Sequence, residues 1–365
     1  MIWALRDEVR PVDLYCYLWA RFGPPNGFQN FLRKDDSDNL IHWDWTLSCN
    51  HGWMIILGMN FRTEVQFVGC FPFSEADKDK LIQQLKSDFA NFGKQMSEIR
   101  KTMLETWTEF INPYHRLRSS VDQLHEEIKA LSLDPSRDAF PDLIDSSEGG
   151  AFETKWKDVS IRYNKGVGIC FGIRSMLPVM AEAFVNLLLF VLMKTDLKSD
   201  PRLRENTIRQ QIDIRIKSLH LTCIGFARPV DYSHTACGNY HSLVNERNDL
   251  LHGNVVIEKL RFNEVYFNGR VPIFKDYRSM WERSLGVEVS AVGLDRLTAE
   301  LRVIDEFVAY VLSCLQPDVR EQIERIMQNR DLGLNKDTGR IGILFPGHLV
   351  DMQLVMRAAQ PCRSE

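Results

Sequence analysis

The stretch NERNDLLHGN, residues 245–254, holds the residues whose types and spacing best fit a chemical role. It contains Arg247 and Asn248, followed after three residues by His252. An imidazole has a pKa near neutrality and can move protons during catalysis. A guanidinium can hold a phosphate through two parallel hydrogen bonds. The stretch is therefore either an ordinary charged turn of a soluble helix or a site that cleaves RNA.

Spacing alone does not distinguish these two interpretations. Several places in the chain have an arginine and a histidine separated by four to six residues. They are Arg118/His125, Arg215/His220, Arg228/His234 and Arg247/His252. The first pair shares a helix face with charged neighbours, which predicts a solvated surface. The second pair lies about 140° apart on a helix, which is typical of ordinary packing. The third pair lies in a predicted loop with no organised face.

The fourth pair has a more specific geometry on a helical wheel. Asn248 and His252 are four residues apart, so they lie about 40° from each other on one face. Arg247 falls within an apolar arc, which is formed by Leu243, Val244, Leu250 and Leu251. A charge in such an arc needs a partner, because an unpaired buried charge is very costly. The wheel therefore predicts a buried partner for Arg247.

The predicted partner is on the apolar helix that precedes the motif. Glu182 is the only acid between Arg174 and Asp196, and Asn186 follows one turn later on the same face. A helix bundle could bring this polar stripe against Arg247. The alternative is a buried structural ion pair that carries no chemistry.

Composition restricts the class of protein. With 365 residues, the chain has the length of two or three domains. The net charge of −4 argues against a protein that coats duplex nucleic acid, but leaves room for a local basic site. The eight cysteines form no C-x-x-C pair, which argues against a zinc ribbon. No signal peptide is evident at the start, so we expect reduced thiols in the cytoplasm.

Residues 176–193, MLPVMAEAFVNLLLFVLM, approach the length of a membrane span. Pro178, Glu182 and Asn186 interrupt the apolar run, and a carboxylate at mid-membrane costs about 2.5–3.5 kcal/mol. We predict a buried helix of a soluble protein, with a membrane span as the alternative.

The N-terminal region, 1–132, is predicted to be an α+β domain. A short helix over 11–21 is followed by three strands in an antiparallel meander, within 40–49, 52–59 and 64–71. Their aromatic residues could line a ligand site, but packing of a small sheet is favoured. One long amphipathic helix is predicted from about 74 through Trp107, and a second over 113–131.

A linker at 133–150 is predicted to separate this domain from a helical domain at 151–316. Helices are expected over 168–195, 201–226, 238–252 and 293–315, with Ile208, Ile212, Ile216 and Leu219 as core positions of the second. The Asn268-Gly269 turn predicts a β-hairpin within 255–275. The tail, 317–365, is predicted to pack on the bundle with a helix and a strand at 341–345.

The segment ERNDLLHGN resembles the R-x4–6-H motif of the HEPN superfamily, in the form with Asn after Arg and Gly after His. The order of helices over 150–316 is also similar to this family. The resemblance implies a mainly α protein with a small β part, whose C-terminal HEPN-like four-helix bundle carries a β-hairpin insertion. The position two residues after the histidine is Asn254. Members silenced by a nucleotidyltransferase antitoxin often have tyrosine there, so that form of control is not implied.

Similarity to this family implies a metal-independent endoribonuclease without a cofactor, acting as a homodimer in which two motif helices form one composite site. His252 would be the general acid or base, Arg247 would bind the phosphate, Asn248 would orient the site, and Glu182 and Asn186 would support it. The implied substrate is RNA, either tRNA or mRNA, cut in bacterial anti-phage defence, abortive infection or toxicity. The N-terminal region would then be a sensing, regulatory or dimerising module, and a regulatory protein or a phage trigger would be a further partner. The competing hypothesis is a non-catalytic HEPN-like module for dimerisation or nucleotide binding.

Overall fold

The computed structural model describes residues 1–32, 41–59, 62–138, 149–252, 264, 266–273 and 281–344. The described chain is mainly helical with small antiparallel sheets, as the sequence predicts. It divides into two compact units. The first comprises Met1–Phe110 together with the described residues from Asp331 onward, and the second comprises Ile111–Arg330.

The first unit is built on a four-stranded antiparallel sheet. Its strands are β1 (Ile2–Leu5), β2 (Trp43–Cys49), β3 (Gly52–Gly58) and β4 (Thr63–Gly69), in the order β1-β4-β3-β2. The predicted three-stranded meander is confirmed, and β1 adds a fourth strand that the sequence analysis did not predict.

Three helices accompany this sheet, and they are α1 (Pro11–Phe22), α2 (Phe28–Leu32) and α3 (Lys78–Thr102). The predicted short helix is confirmed by α1, which packs against α3. Tyr17 of α1 contacts the rings of Phe89 and Phe92 at centroid distances of 5.1 and 5.6 Å. The aromatic residues of the strands and helices thus form one core, in which Trp3, Trp45 and Val65 are buried.

A second, three-stranded sheet in this unit joins distant parts of the chain. Its strands, in spatial order, are Trp107–Ile111, Asp331–Asn335 and Ile341–Gly342. The prediction that Trp107 continues a long helix is wrong, because α3 ends at Thr102 and Trp107 begins a strand. The predicted strand at 341–345 is present at Ile341–Gly342, and Phe345 lies outside the described residues.

The second unit is helical around one long central helix. Its helices are α4 (Pro113–Ala130), α5 (Pro135–Asp138), α6 (Gly149–Leu192), α7 (Thr195–Ser199), α8 (Pro201–Arg209), α9 (Ile212–Thr222), α10 (Thr235–His252), α11 (Val287–Val292, after a π-helical turn at Glu282–Gly286), α12 (Leu297–Ser313) and α13 (Pro317–Met327). The central helix, α6, packs against α4, α9, α10 and α12, and α10 also packs on α12. Each of the four segments predicted to be helical therefore contains helix, in the predicted order, and the second of them contains two helices.

The boundaries of two predicted helices are wrong. Helix α6 begins at Gly149 rather than 168, because its first half also has a core, in which Val159 and Tyr163 pack with Trp281. The predicted helix over 201–226 is two helices, since Gln210 and Gln211 are extended.

This break also changes the predicted core of that region. Ile216 and Leu219 are buried, Ile212 is half-buried and Ile208 is exposed. Glutamine favours helices, so no local signal marks the break.

The division into units differs from the predicted domains. The predicted linker at 133–150 lies inside the second unit, because α4, which precedes it, packs on α6. The predicted C-terminal tail is divided: α13 belongs to the second unit, and the strands from Asp331 onward belong to the first. The predicted hairpin is confirmed at Tyr266–Asn268 and Val271–Ile273, and much of the remaining 255–275 segment lies outside the described residues.

Among the described residues, one helical segment, Phe152–Leu192, is long and apolar enough to cross a membrane. Of its most apolar window, 56% is buried inside the protein. Met180, Ala181 and Phe184 have essentially no exposed surface. This burial indicates the core helix of a soluble protein, as predicted, rather than a membrane span.

Asn112 connects the two ends of the second unit. Its side-chain oxygen accepts hydrogen bonds from the backbone amides of Tyr114 and His115 at the start of α4. Its side-chain nitrogen donates to the carbonyls of Ile326 and Asn329, at 2.9 and 3.1 Å. Because Asn112 is fully buried, these four hydrogen bonds are shielded from water.

We predict that Asn112→Ala lowers the free energy of unfolding by about 2–4 kcal/mol, because it removes a helix cap and leaves two carbonyls unsatisfied. The matched control is Asp200→Ala, which removes only the exposed cap of α8 and should cost about 1 kcal/mol. Urea unfolding followed by circular dichroism measures both changes. Equal losses in the two variants would show that the contacts with Ile326 and Asn329 contribute no stability.

Candidate functional site

Helix α10 carries the whole Arg247–His252 pair. One side of the helix is buried, and Tyr240 on that side stacks on Phe307 of α12 at a centroid distance of 4.4 Å. Leu243 is buried, as the wheel predicts. Leu250 is only half-buried, and Leu251 is exposed. The apolar arc is thus narrower at the end of the helix than predicted.

The Arg247 side chain is half-buried at the edge of this arc. One terminal nitrogen donates to the side-chain oxygen of Asn248 at 3.0 Å. Its Nε is buried and has no hydrogen-bond partner among the described residues. A guanidinium has five N–H donors, so most of the hydrogen-bonding capacity of Arg247 remains for another group.

The predicted contact between Arg247 and the polar stripe of α6 is wrong. Asn186 instead accepts a hydrogen bond from Arg215 at 2.5 Å, and Glu182 forms an ion pair with the same guanidinium. Arg215 is buried on α9, which packs beside this part of α6. The stripe of Glu182 and Asn186 is therefore a structural contact between α6 and α9.

A second buried arginine, Arg174, forms the main polar contact of this unit, and it was not predicted from the sequence. Its guanidinium donates two hydrogen bonds to the carboxylate of Glu300 on α12, both at 2.6 Å. It also donates to Glu246 on α10 and to the carbonyl of Val292 at the end of α11, both at 2.8 Å. Arg174 therefore connects α6, α10, α11 and α12.

The signal for this contact was present in the sequence. Glu300 lies three residues after Leu297 and four before Ile304, which places a carboxylate on the buried face of α12. Burial opposes the charge of Arg174, but the hydrogen bonds and the charge of Glu300 outweigh burial and raise the pKa of the guanidinium. Both side chains are at least nine-tenths buried, so each charge depends on the other.

A small cavity of about 10 Å³ lies between Arg247 and this contact. Its lining includes Arg174, Leu177, Pro178, Leu243, Glu246, Arg247, Leu250 and Glu300. This volume holds about one water molecule. This cavity is therefore too small to bring a nucleotide to Arg247.

His252 is the last residue of α10, and its side chain is exposed. It lies one turn beyond Asn248 on the same face, and about 7.5 Å along the helix axis from Arg247. The following residues, Gly253 and Asn254, lie outside the described part of the chain.

The other three arginines with histidine neighbours have partners. Arg118 forms ion pairs with Asp122 and Asp305, Arg215 with Glu182, and Arg228 donates to the Ser313 hydroxyl. Among these four arginines, Arg247 alone lacks an acidic or hydroxyl partner within the described residues. Over the same residues, no group of three or more His, Cys, Asp or Glu side chains is arranged to hold a metal ion.

We predict that Glu300→Ala lowers the free energy of unfolding by about 3–5 kcal/mol, because it leaves the Arg174 charge buried without its main partner. In the control, Glu324→Ala removes an exposed pair with Arg320 on α13 and should cost less than about 1 kcal/mol. Thermal and urea unfolding of both variants make the comparison. A loss below 1 kcal/mol for Glu300→Ala would contradict a structural role for this ion pair.

Comparison with known proteins finds no match, because no family model, no curated protein and no solved structure matches the chain. The function must accordingly be inferred from the chemistry of Arg247, Asn248 and His252.

Proposed function

We propose that the chain is a metal-independent endoribonuclease of the HEPN type. The observation that carries this proposal is the state of Arg247, whose guanidinium has no carboxylate partner among the described residues and lies beside the exposed face of α10. Such a group is suited to bind a phosphate, because a phosphate oxygen can accept the hydrogen bonds that the protein leaves unmade.

The surrounding charges favour an anion at this place. The two carboxylates that line the small cavity, Glu246 and Glu300, both bind Arg174, and Glu246 also binds Arg296 at 3.2 Å. Neither carboxylate forms an ion pair with Arg247 among the described residues. The local positive charge of Arg247 is therefore left for a ligand.

His252 supplies the proton transfer in the proposed reaction. The 2′-OH of RNA attacks the adjacent phosphorus and loses its proton, while the 5′-oxygen of the next nucleotide leaves and gains one. An exposed imidazole can carry out either proton transfer. Arg247 stabilises the additional negative charge on the phosphorus centre, and Asn248 holds the guanidinium in place. The products are a 2′,3′-cyclic phosphate and a 5′-hydroxyl.

The proposed active form is a homodimer. Within the described residues, one chain supplies a surface patch with one arginine and one histidine of the motif, and the cavity beside it holds about one water molecule. Two copies that meet along α10 would enclose the scissile phosphate and provide both groups twice. The proposed role is that of a cytoplasmic toxin or effector in bacterial anti-phage defence, acting on tRNA or mRNA, which rests on the motif resemblance.

A second candidate function is a non-catalytic module that dimerises or binds a nucleotide. The net charge of −4 favours it, because proteins that hold long RNA usually carry a basic surface. Under this alternative, Arg247 binds the phosphate of a nucleotide, and His252 has no chemical role.

Cleavage of end-labelled RNA tests the proposal directly. We expect the purified chain to cut RNA in the presence of EDTA and to leave a DNA strand of the same sequence intact, because DNA lacks the 2′-OH. Arg247→Ala and His252→Ala should each lower the cleavage rate at least about 100-fold. Arg228→Ala and His125→Ala, taken from the other arginine–histidine pairs, should retain the wild-type rate. Loss of cleavage on adding EDTA, or full activity of either motif variant, would contradict the proposal.

The dimer is tested by the dependence of activity on protein concentration. Below the dissociation constant of the dimer, cleavage per chain should rise in proportion to concentration, and it should level off where sedimentation shows a dimer. Constant activity per chain across a range in which the chain is a monomer would contradict a composite site. Nucleotide binding without any cleavage would support the second candidate.

A further inference from the structure

A cavity of about 370 Å³ opens in the first unit, between the sheet and the start of α3. It is much larger than the cavity beside Arg247 and falls within the range of small-molecule sites, about 300–1,000 Å³. Its lining residues are Trp3, Cys49, His51, Met54, Phe67, Phe71, Phe73, Asp77, Lys80, Leu81 and Gln84. All of them belong to the first unit, so the cavity is complete within that unit.

Aromatic rings form much of the wall. Phe67 contacts the rings of Trp3, Phe71 and Phe73 at centroid distances of 4.6, 5.1 and 5.6 Å. The sequence analysis favoured packing as the role of the aromatic residues in these strands. They do pack against each other, but they also border an open space. Aromatic side chains around a space of this size favour a flat ligand, which can stack on them.

Trp3 presents a polar group that the protein does not satisfy. The side chain is only 2% exposed, and its Nε1–H has no hydrogen-bond partner among the described residues. A buried indole N–H usually has a partner, and a missing partner costs stability. Trp3 lines the cavity, but its Nε1 is not itself exposed there, so a ligand with a hydrogen-bond acceptor supplies the missing partner once the indole ring turns toward the open space.

The charged residues at the cavity neutralise each other. Lys80 forms an ion pair with Asp77 at 2.8 Å, and the Asp77 carboxylate also accepts hydrogen bonds from the amide and hydroxyl of Ser74, both at 2.9 Å. Neither charge is left for a ligand, so the cavity does not favour an anion or a cation.

We propose that this cavity binds a neutral, flat heteroaromatic molecule whose ring acceptor takes the hydrogen bond of Trp3 Nε1–H. The apolar lining explains why the ligand is neutral, the aromatic side chains in the lining explain why it is flat, and Trp3 explains the acceptor. The site lies in a different unit from Arg247 and does not depend on RNA cleavage. With such a ligand site, the first unit would act as a sensor of a small molecule.

Two probes of the same shape test the proposal on the full chain. Quinoline has two fused rings and a ring nitrogen that accepts a hydrogen bond, and it is neutral at pH 7.5. Naphthalene has the same outline without an acceptor. In ligand-observed NMR titrations, we expect saturable binding of both, with quinoline bound about fivefold more tightly, as one additional hydrogen bond predicts. Absence of saturable binding, or equal affinities, would overturn the proposal.

Two variants identify the site. Trp3→Phe keeps an aromatic ring and removes the N–H, so quinoline should lose its advantage while naphthalene still binds. Gln84→Trp changes an exposed residue of the lining and should weaken both probes at least tenfold by filling the opening. The control, Gln83→Trp, adds the same ring at an exposed neighbouring position outside the lining and should bind like wild type. Wild-type binding by Gln84→Trp would place the probes elsewhere and refute the proposed site, even if Trp3→Phe failed to fold.

Discussion

The contact of Arg174 with Glu300 and Glu246 determines the arrangement of the second unit. One guanidinium on the central helix binds two helices through their carboxylates and a third through the Val292 carbonyl. Because Arg174 and Glu300 are each only 7% exposed, these two charges can be buried only together. The positions of α10 and α12 beside α6 therefore depend on this one set of charges as well as on apolar packing.

The same contact explains why Arg247 remains available. Glu246 precedes Arg247 in the chain, and both residues line the small cavity with Glu300. Had either carboxylate bound Arg247, the motif arginine would be a structural residue like Arg215. Arg174 occupies both carboxylates instead. The ion pairs of Arg174 thus leave Arg247 without a carboxylate partner among the described residues.

Much of the fold could be predicted from local signals in the sequence. Alternating strands, the Asn268-Gly269 turn and the extent of α4 follow from short-range patterns, and each is present in the structure. The helical wheel also predicted that Arg247 lies among apolar residues, and the side chain is half-buried in the structure. It could not identify the partner, because a wheel describes the faces of one helix and not the neighbour that each face meets.

The sequence pattern predicts Glu182 as the partner of Arg247, but the packing of α9 beside α6 places Arg215 at this carboxylate. Trp107 shows the same limit. Its spacing continues the apolar pattern of α3, but its strand pairs with Asp331–Asn335, more than 200 positions later in the chain.

The backbone N–H of Asn112 donates a hydrogen bond of 2.7 Å to the backbone carbonyl of Arg330, and this bond joins the two ends of the second unit. In topological terms, the second unit is an insertion within the first. During synthesis, the ribosome must complete all of Ile111–Arg330 before Asp331–Asn335 can emerge and join Trp107–Ile111. The helical unit can therefore fold before the first unit closes its smaller sheet, since closing such a long loop early would carry a large entropic cost. This order completes the unit that carries Arg247 and His252 before the first unit has all of its strands.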